Sequence, residues 1–241
     1  MQVKTEGIVL HETPYGETSK ILSILTKDYG KISVIAKGCR NIKNKLRGVS
    51  NKMNYAEYTI SYKENGLSIM LEGNIINSFK KIYGNMKKSI FAYYLIDLVN
   101  QVLNENNNQE LFFILRDAIT KINDDLSPEL ISNIVELKLL KYLGVNLNLE
   151  SCVKCGSKDN LVTIDLDNGG VLCHNCYQDG YLFNNKALKL MQIFNNIKLD
   201  KLSDLEITDY SIFKEIDHFI YEYYAQYTGI YLTKKENMLK W

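Results

Sequence analysis

Histidine is scarce in this chain, with three in 241 residues, and the scarcity removes several kinds of chemistry. Zinc deaminases need H-x-E ahead of P-C-x-x-C, and none of His11, His174 and His218 has a glutamate two residues on. Zinc peptidases need H-E-x-x-H. His11-Glu12 starts that pattern, but Tyr15 stands where the second histidine is required. No histidine sits in a Ser/Asp or Cys context that supports hydrolysis, and G-x-x-x-x-G-K-[ST] is absent, so no ATPase of the P-loop type is expected. No run of about eighteen apolar residues occurs, which argues against a membrane span. Met1-Gln2-Val3-Lys4-Thr5-Glu6 lacks the apolar stretch of a signal peptide. The expectation is a cytoplasmic, nucleoid-associated protein.

Cysteine is also sparse, but four of the five are spaced for a metal. Cys152-Val153-Lys154-Cys155 and Cys173-His174-Asn175-Cys176 are two C-x2-C knuckles separated by seventeen residues. Two such knuckles bring four thiolates to the corners of one tetrahedron, the arrangement that Zn²⁺ takes in closed structural sites. One structural Zn²⁺ on Cys152, Cys155, Cys173 and Cys176 is the reading, with His174 a weaker candidate ligand. A closed site leaves no coordination position for a substrate, so the feature that looks most like chemistry points to a scaffold. Without metal the thiolates repel one another and the segment should be disordered. Cys39 is flanked by cations; it is read as a small loop residue, with a redox role as the alternative. His218 falls off the apolar stripe of its helix and is expected to be exposed.

The first eighty residues read as strands: Val3 to Leu10, Ile21 to Thr26, Ile32 to Ala36, Tyr55 to Tyr62 and Leu67 to Leu71. They are short and rich in β-branched and aromatic residues, and turn chemistry at Pro14-Tyr15-Gly16, Asp28-Tyr29-Gly30 and Glu64-Asn65-Gly66 separates them. Five strands without an intervening helix suggest a small closed antiparallel barrel, since closure removes exposed sheet edges. The period then turns helical. Apolar stripes run Ile90, Phe91, Tyr94, Leu95, Leu98, Val99, Val102 and then Leu111, Leu115, Ile119, Ile122. Ser127-Pro128 is a cap with proline at the first helical position, opening a helix that stops at Gly144. Residues 152–183 read as irregular. Helix resumes at Ala187, and the last stripe runs Ile212, Ile216, Phe219, Ile220, Tyr223, Tyr227. The fold class expected is α+β multidomain: a barrel over 1–79, then an α-helical domain over 80–241 that carries the knuckle at 152–183.

The net charge of +1 hides an asymmetry. Residues 1–79 hold eleven cations against seven acids, a surplus of four, whereas the remainder holds 18 against 21, a deficit of three. Between Lys37 and Lys52 lie six cations and no acid: Lys37, Arg40, Lys43, Lys45, Arg47 and Lys52. Lys20, Lys27 and Lys31 lie on or beside neighbouring strands. A barrel carrying a flexible cationic loop, with Tyr15, Tyr29 and Tyr55 nearby, suits single strands, because cations track phosphates and aromatics stack on bases. A solvated lysine-rich loop and a dock for an acidic protein are the competing readings.

Some of these residues also carry a family resemblance. Lys4-Thr5-Glu6-Gly7-Ile8-Val9-Leu10 followed by Tyr15-Gly16-Glu17-Thr18-Ser19-Lys20-Ile21 resembles the opening of the RecO family of bacterial recombination mediators. Lys31-Ile32-Ser33-Val34-Ile35-Ala36-Lys37-Gly38-Cys39-Arg40 is similar to the family's G-K-[IL]-x-x-x-A-[KR]-G-x-[RK] stretch, with Cys39 where small residues such as alanine are more usual. Glu136-Leu137-Lys138-Leu139-Leu140-x-x-Leu143-Gly144 running into Cys152-x-x-Cys155, and the close Leu232-Thr233-Lys234-Lys235, extend the resemblance end to end. It implies an N-terminal five-stranded OB-fold, a helical domain and a zinc knuckle. It further implies binding of single- and double-stranded DNA, strand annealing, and no enzymatic activity. The implied partners are RecR and the C-terminal tail of single-strand-binding protein, with RecA served indirectly. Lys37 and Arg40 fall where the family binds DNA; Lys20, Lys31, Lys43, Lys45 and Arg47 are added by the charge argument. A zinc-ribbon adaptor binding only proteins, or an RNA-binding OB-fold protein, are the alternatives from other classes.

Overall fold

The computed structural model describes residues 1–105, 108–145, 147–203 and 210–238. These form two compact units, Met1–Asp124 and Asp125–Trp241.

The first unit opens with five strands, β1 (Gln2–Tyr15), β2 (Ser19–Thr26), β3 (Gly30–Ala36), β4 (Tyr55–Ser61) and β5 (Ser68–Asn77). They close into a barrel in the order β1-β2-β3-β5-β4, the OB arrangement. All five expected strands are present, but β1 is longer than its apolar run. Pro14 does not end it, because the strand continues to Tyr15, with Pro14 opposite Lys20. The length is what closure uses: residues 2–8 pair with β4, while residues 7–15 pair with β2. A bulge between Val9 and His11 lets one strand serve both neighbours by bending it. The last seam is brief and parallel, Val34 against Ser68 and Ile35 against Ile69. Alternating residues fill the interior, among them Val9, Leu22, Ile24, Val34, Ala56, Tyr58 and Ile60, all fully buried.

Gly7 has no room for a side chain, since a Cβ there would lie 2.7 Å from Ile24 Cγ2. Three helices complete this unit: α1 (Lys80–Tyr83), α2 (Met86–Glu105) and α3 (Glu110–Asn123). Tyr55 of β4 donates to Glu6 and meets Phe112 of α3 edge-on, with ring centroids 6.1 Å apart. The barrel and these helices together make up the first compact unit. The junction itself is held tightly: Phe79 is fully buried, adopts a left-handed backbone (φ 49°), and its N–H donates to Asn77 Oδ1 at 2.8 Å. A bulky residue accepts that conformation only where its surroundings compel it.

The second unit holds α4 (Pro128–Leu139), α5 (Asn185–Asn196), α6 (Tyr210–Tyr227) and α7 (Lys235–Met238). The Ser127 cap is as expected, its hydroxyl accepting from Leu130 N–H at 3.3 Å. The helix leaves through a 3-10 turn, Leu140–Leu143, and Gly144 ends it with φ 75°. One sequence expectation is corrected here. Residues 152–183, read as irregular, contain a two-stranded antiparallel sheet, β6 (Leu161–Asp165) and β7 (Gly170–Cys173). Its strands are too short for their period to register in the sequence. A buried ion cluster closes this unit: Lys235 Nζ lies 2.8 Å from Glu136 Oε2 and 2.7 Å from Asp217 Oδ1, and also donates to Asn133 Oδ1. Among the described residues no helix is long and apolar enough to cross a membrane.

Candidate metal centre and cationic loop

The four knuckle cysteines come together. Their sulfur atoms all lie within 4.8 Å of one another, and Cys155 Sγ is 3.6 Å from Cys173 Sγ. A tetrahedron with Zn–S bonds of about 2.3 Å has edges of about 3.8 Å, so the spacing fits a tetrathiolate ion. The fold supplies this geometry from two pieces. Cys152 and Cys155 lie on a tight turn, closed by Gly156 N–H donating to the Cys152 carbonyl at 2.8 Å and Cys152 N–H to the Ser157 carbonyl at 2.7 Å. Cys173 ends β7, and Cys176 follows in the next turn, its N–H on the Cys173 carbonyl at 3.0 Å.

Backbone carries the first knuckle onto the sheet, with Val153 N–H donating to the Val171 carbonyl at 2.9 Å. Gly170 makes the approach possible: a Cβ there would lie 2.6 Å from the Asn148 carbonyl oxygen and 2.5 Å from Val153 Cγ1. Burial raises the Cys152 thiol, but backbone N–H groups of Cys173, Cys155 and Lys154 outweigh it and bring the pKa down to about 6. Hydrogen bonding with Cys155, then burial, pushes Cys176 up to about 12. Four thiols this close cannot all ionise on their own, which is the electrostatic demand that a dication meets. His174 is exposed and is not among the clustered ligands.

The cationic loop is anchored to the barrel by hydrogen bonds along its length. Residues 37–54 form consecutive turns pinned at both ends. Arg40 N–H donates to the Thr18 carbonyl at 2.8 Å and Gly38 N–H to Ser19 Oγ at 3.1 Å. Farther on, Tyr58 OH donates to the Val49 carbonyl at 3.0 Å and Met53 N–H to the Val9 carbonyl at 2.8 Å. Inward, the loop places Cys39, Val49 and Met53 in the barrel core. Cys39 is thus a buried packing residue and not an exposed loop thiol. Outward, Lys37, Arg40, Lys43, Lys45 and Arg47 are all exposed. None has a carboxylate within ion-pair distance among the described residues. The loop thus buries its apolar anchors and leaves these five cations on its solvent side.

The other candidate cations are differently placed. Lys20 is bound to Glu12 at 3.0 Å and to Asn51 Oδ1 at 3.2 Å. Lys52 is bound to Asp97 at 2.7 Å and lies 5.1 Å from the Tyr93 ring centroid. Lys27 pairs with Glu6 at 3.2 Å. Lys31 is half-buried on β3, and desolvation lowers its pKa. Sequence reasoning missed Glu12 and Asp97 as partners; no local pattern announces an acid eight or forty-five residues away. Of the three tyrosines, only Tyr15 is free to stack, being 52% exposed. Tyr29 stacks on Tyr62 with centroids 4.7 Å apart, and Tyr55 is committed to Glu6.

An OB barrel with this cationic loop, joined in one chain to a tetrathiolate knuckle, is matched end to end by two family models. Residues 1–79 match the recombination protein O N-terminal model, and residues 84–236 match the C-terminal model. The chain belongs to the recombination protein O family. It is 31% identical over 245 residues to the DNA repair protein RecO of Bacillus pumilus, covering 99% of this chain and 94% of that protein. It is likewise 31% identical to the DNA repair protein RecO of Bacillus subtilis, over 98% and 93% of the two chains. Against the Listeria monocytogenes protein of the same name the identity is 29%, over 98% and 97%. The RecO resemblance read from the sequence is thereby established for the whole length.

Proposed function

We propose that the chain acts in DNA repair and homologous recombination as a non-enzymatic mediator. It binds single- and double-stranded DNA through the loop cations, anneals complementary strands and, with RecR, helps load RecA onto strands coated by single-strand-binding protein. The observation that carries the reading is the face of five exposed cations, free of carboxylate partners among the described residues, on an OB barrel whose relatives are named DNA repair proteins. Lys37, Arg40, Lys43, Lys45 and Arg47 are the phosphate contacts. Lys20, held by Glu12, and the half-buried Lys31 lie on the adjacent strands and are not counted among these contacts.

Annealing by such a face needs no covalent chemistry. Two strands approach against the repulsion of their phosphates, and the loop cations reduce that repulsion while leaving base edges free to pair. The loop backbone is pinned to the barrel by hydrogen bonds, which limits the backbone entropy lost on binding.

Cys152, Cys155, Cys173 and Cys176 would hold one Zn²⁺, which supplies folding energy of roughly 10 kcal/mol in isolated structural sites. The knuckle's role is to hold β6 and β7 in register; with all four sulfurs engaged no position remains for a substrate. The test is annealing of complementary oligonucleotides by the full chain. Replacing Lys37, Arg40, Lys43 and Arg47 by Ala should abolish annealing and weaken oligonucleotide binding while circular dichroism stays unchanged. Undiminished annealing by that variant would reject the proposal.

A further inference from the structure

Next to the cationic loop lies an open cleft of about 520 Å³ that no role described so far uses. Its walls come from four places in the first unit: Glu12 of β1, Gly48 and Asn51 of the loop, Ile75 of β5, and Lys80, Tyr83 and Tyr93 from the helices. The volume lies in the range of small-molecule sites, and its lining mixes apolar and polar side chains. Tyr83 is 49% exposed and Ile75 47% exposed, so an aromatic ring and a branched apolar side chain both present surface to the cleft. The Tyr83 ring is nonetheless fixed, because its hydroxyl donates to the Lys52 carbonyl at 3.0 Å. Burial, with Tyr93 and Glu12 adding to it, pushes the Tyr83 phenol up to about 12, so it remains a neutral donor.

Cations border the hollow rather than fill it. Arg47, exposed and without a carboxylate partner among the described residues, immediately precedes Gly48. Lys80 is exposed on α1 and has no carboxylate partner among the described residues. Lys52 is already neutralised by Asp97 at 2.7 Å, and Glu12, paired with Lys20, presents an acceptor. A flat polar heterocycle with an anionic group on either side matches this arrangement. The ring takes the Tyr83 and Ile75 walls, its edge meets Asn51 and Glu12, and the anions reach Arg47 and Lys80.

We propose that the cleft is a base subsite, receiving one unstacked nucleobase of a single DNA strand whose phosphates run along the loop cations. This deepens the DNA-binding reading and rests on it. It also assigns the apolar residues beside the loop, which phosphate contacts leave unused.

Gly48 supplies a test that touches no cation. Its backbone is outside the left-handed region, and a Cβ built there meets only Ile75 Cδ1, at 3.8 Å. Gly48→Leu therefore fills the cleft with little disturbance of the loop. Tyr83→Ala removes the stacking wall, and Tyr83→Phe keeps it. The measurement is anisotropy of the full-length protein on three probes: a thymidine strand of about twenty nucleotides, spanning the site size of an OB fold, an abasic strand of equal length, and a duplex.

Base–aromatic stacking is worth about fivefold to a hundredfold in affinity. Wild-type protein and Tyr83→Phe should accordingly prefer the thymidine strand to the abasic one by about fivefold or more. Tyr83→Ala and Gly48→Leu should lose that preference while binding the abasic strand and the duplex as wild type does. If wild-type protein binds thymidine and abasic strands equally, the subsite is wrong and phosphate binding stands. Equal loss on all three probes in the variants also overturns it. Failure of wild-type protein to bind any probe removes the DNA-binding reading and the subsite together.

Discussion

The salt dependence of single-strand binding distinguishes free cations from committed ones. Besides Lys27, which Glu6 holds at 3.2 Å, eight basic residues near the barrel face are candidates by charge alone: Lys20, Lys31, Lys37, Arg40, Lys43, Lys45, Arg47 and Lys52. The structure sets Lys20 and Lys52 aside, each held by a carboxylate at 3.0 and 2.7 Å, and leaves Lys31 half-buried. A cation already neutralised by an acid releases no counterion from the strand, so five remain.

Each phosphate neutralised on a single strand contributes about −0.7 to the slope of log K against log salt, which puts five contacts at about −3.5. Raising salt fourfold, from about 50 to about 200 mM, should then weaken binding roughly a hundredfold. Eight contacts would give about −5.6 and a loss of about two-thousandfold. The assay is fluorescence anisotropy of a labelled oligonucleotide titrated across a salt series. Replacing Arg40 by Gln should shift the slope by about +0.7, whereas Lys20→Gln should leave it unchanged. A slope near zero would refute phosphate contact altogether. A slope near −5.6, or a Lys20→Gln slope that moves as far as Arg40→Gln, would refute the sorting of cations by their partners.

Three further outcomes are expected. Lys235→Met leaves the buried Glu136 carboxylate without its cation, a change that costs about 3–5 kcal/mol; urea unfolding of the second unit should show that loss, and a loss under about 1 kcal/mol would mean the cluster is not a stabilising pair. Burial disfavours the Lys235 charge, but the attraction of Glu136 and Asp217 together with their hydrogen bonds outweighs it and raises the Lys235 pKa. Its contribution is therefore present at neutral pH and below the unfolded-state value, and is lost as pH rises through the folded-state value, which unfolding at pH 7 and under strongly alkaline conditions should reveal. Gly170→Ala forces a methyl against the Asn148 carbonyl oxygen, and overpacking of this kind costs about 1–3 kcal/mol; an unchanged thermal midpoint and zinc content would show that the strands can separate freely there. Cys176→Ser should remove zinc measured by a metallochromic chelator while oligonucleotide affinity holds, and loss of DNA binding in a well-folded variant would overturn the scaffold role of the knuckle.

Strand and helix positions were largely legible because burial imposes its period on the chain. Val3 to Leu10 and the α6 stripe from Ile212 to Tyr223 alternate or repeat as their faces require, and the structure buries most of those positions. The C-x2-C pairs were legible for a different reason: a tight turn delivers two sulfurs from four residues, so the spacing itself encodes geometry. The continuation of β1 past Pro14 was not legible, since proline at a strand end is compatible with pairing only where its missing N–H faces away from the ladder. Nor was the β6–β7 sheet, whose short strands are held by the knuckle turns and by Asn148 rather than by a long period of their own.

By itself, the sequence determined the barrel strands, the helices, the clustering of the four cysteines and the total charge of the loop, since each depends on residues close together in the chain. The tertiary structure alone decided which cations are free. Lys20 and Lys37 look alike in the sequence, but one meets Glu12 across the β1–β2 pairing and the other meets solvent. It also decided that Cys39 is core, and that Gly48, Ile75 and Tyr83 from three separate segments enclose one cleft. Ion pairing, burial and cavities arise between residues far apart in the chain, and only the folded backbone fixes those distances.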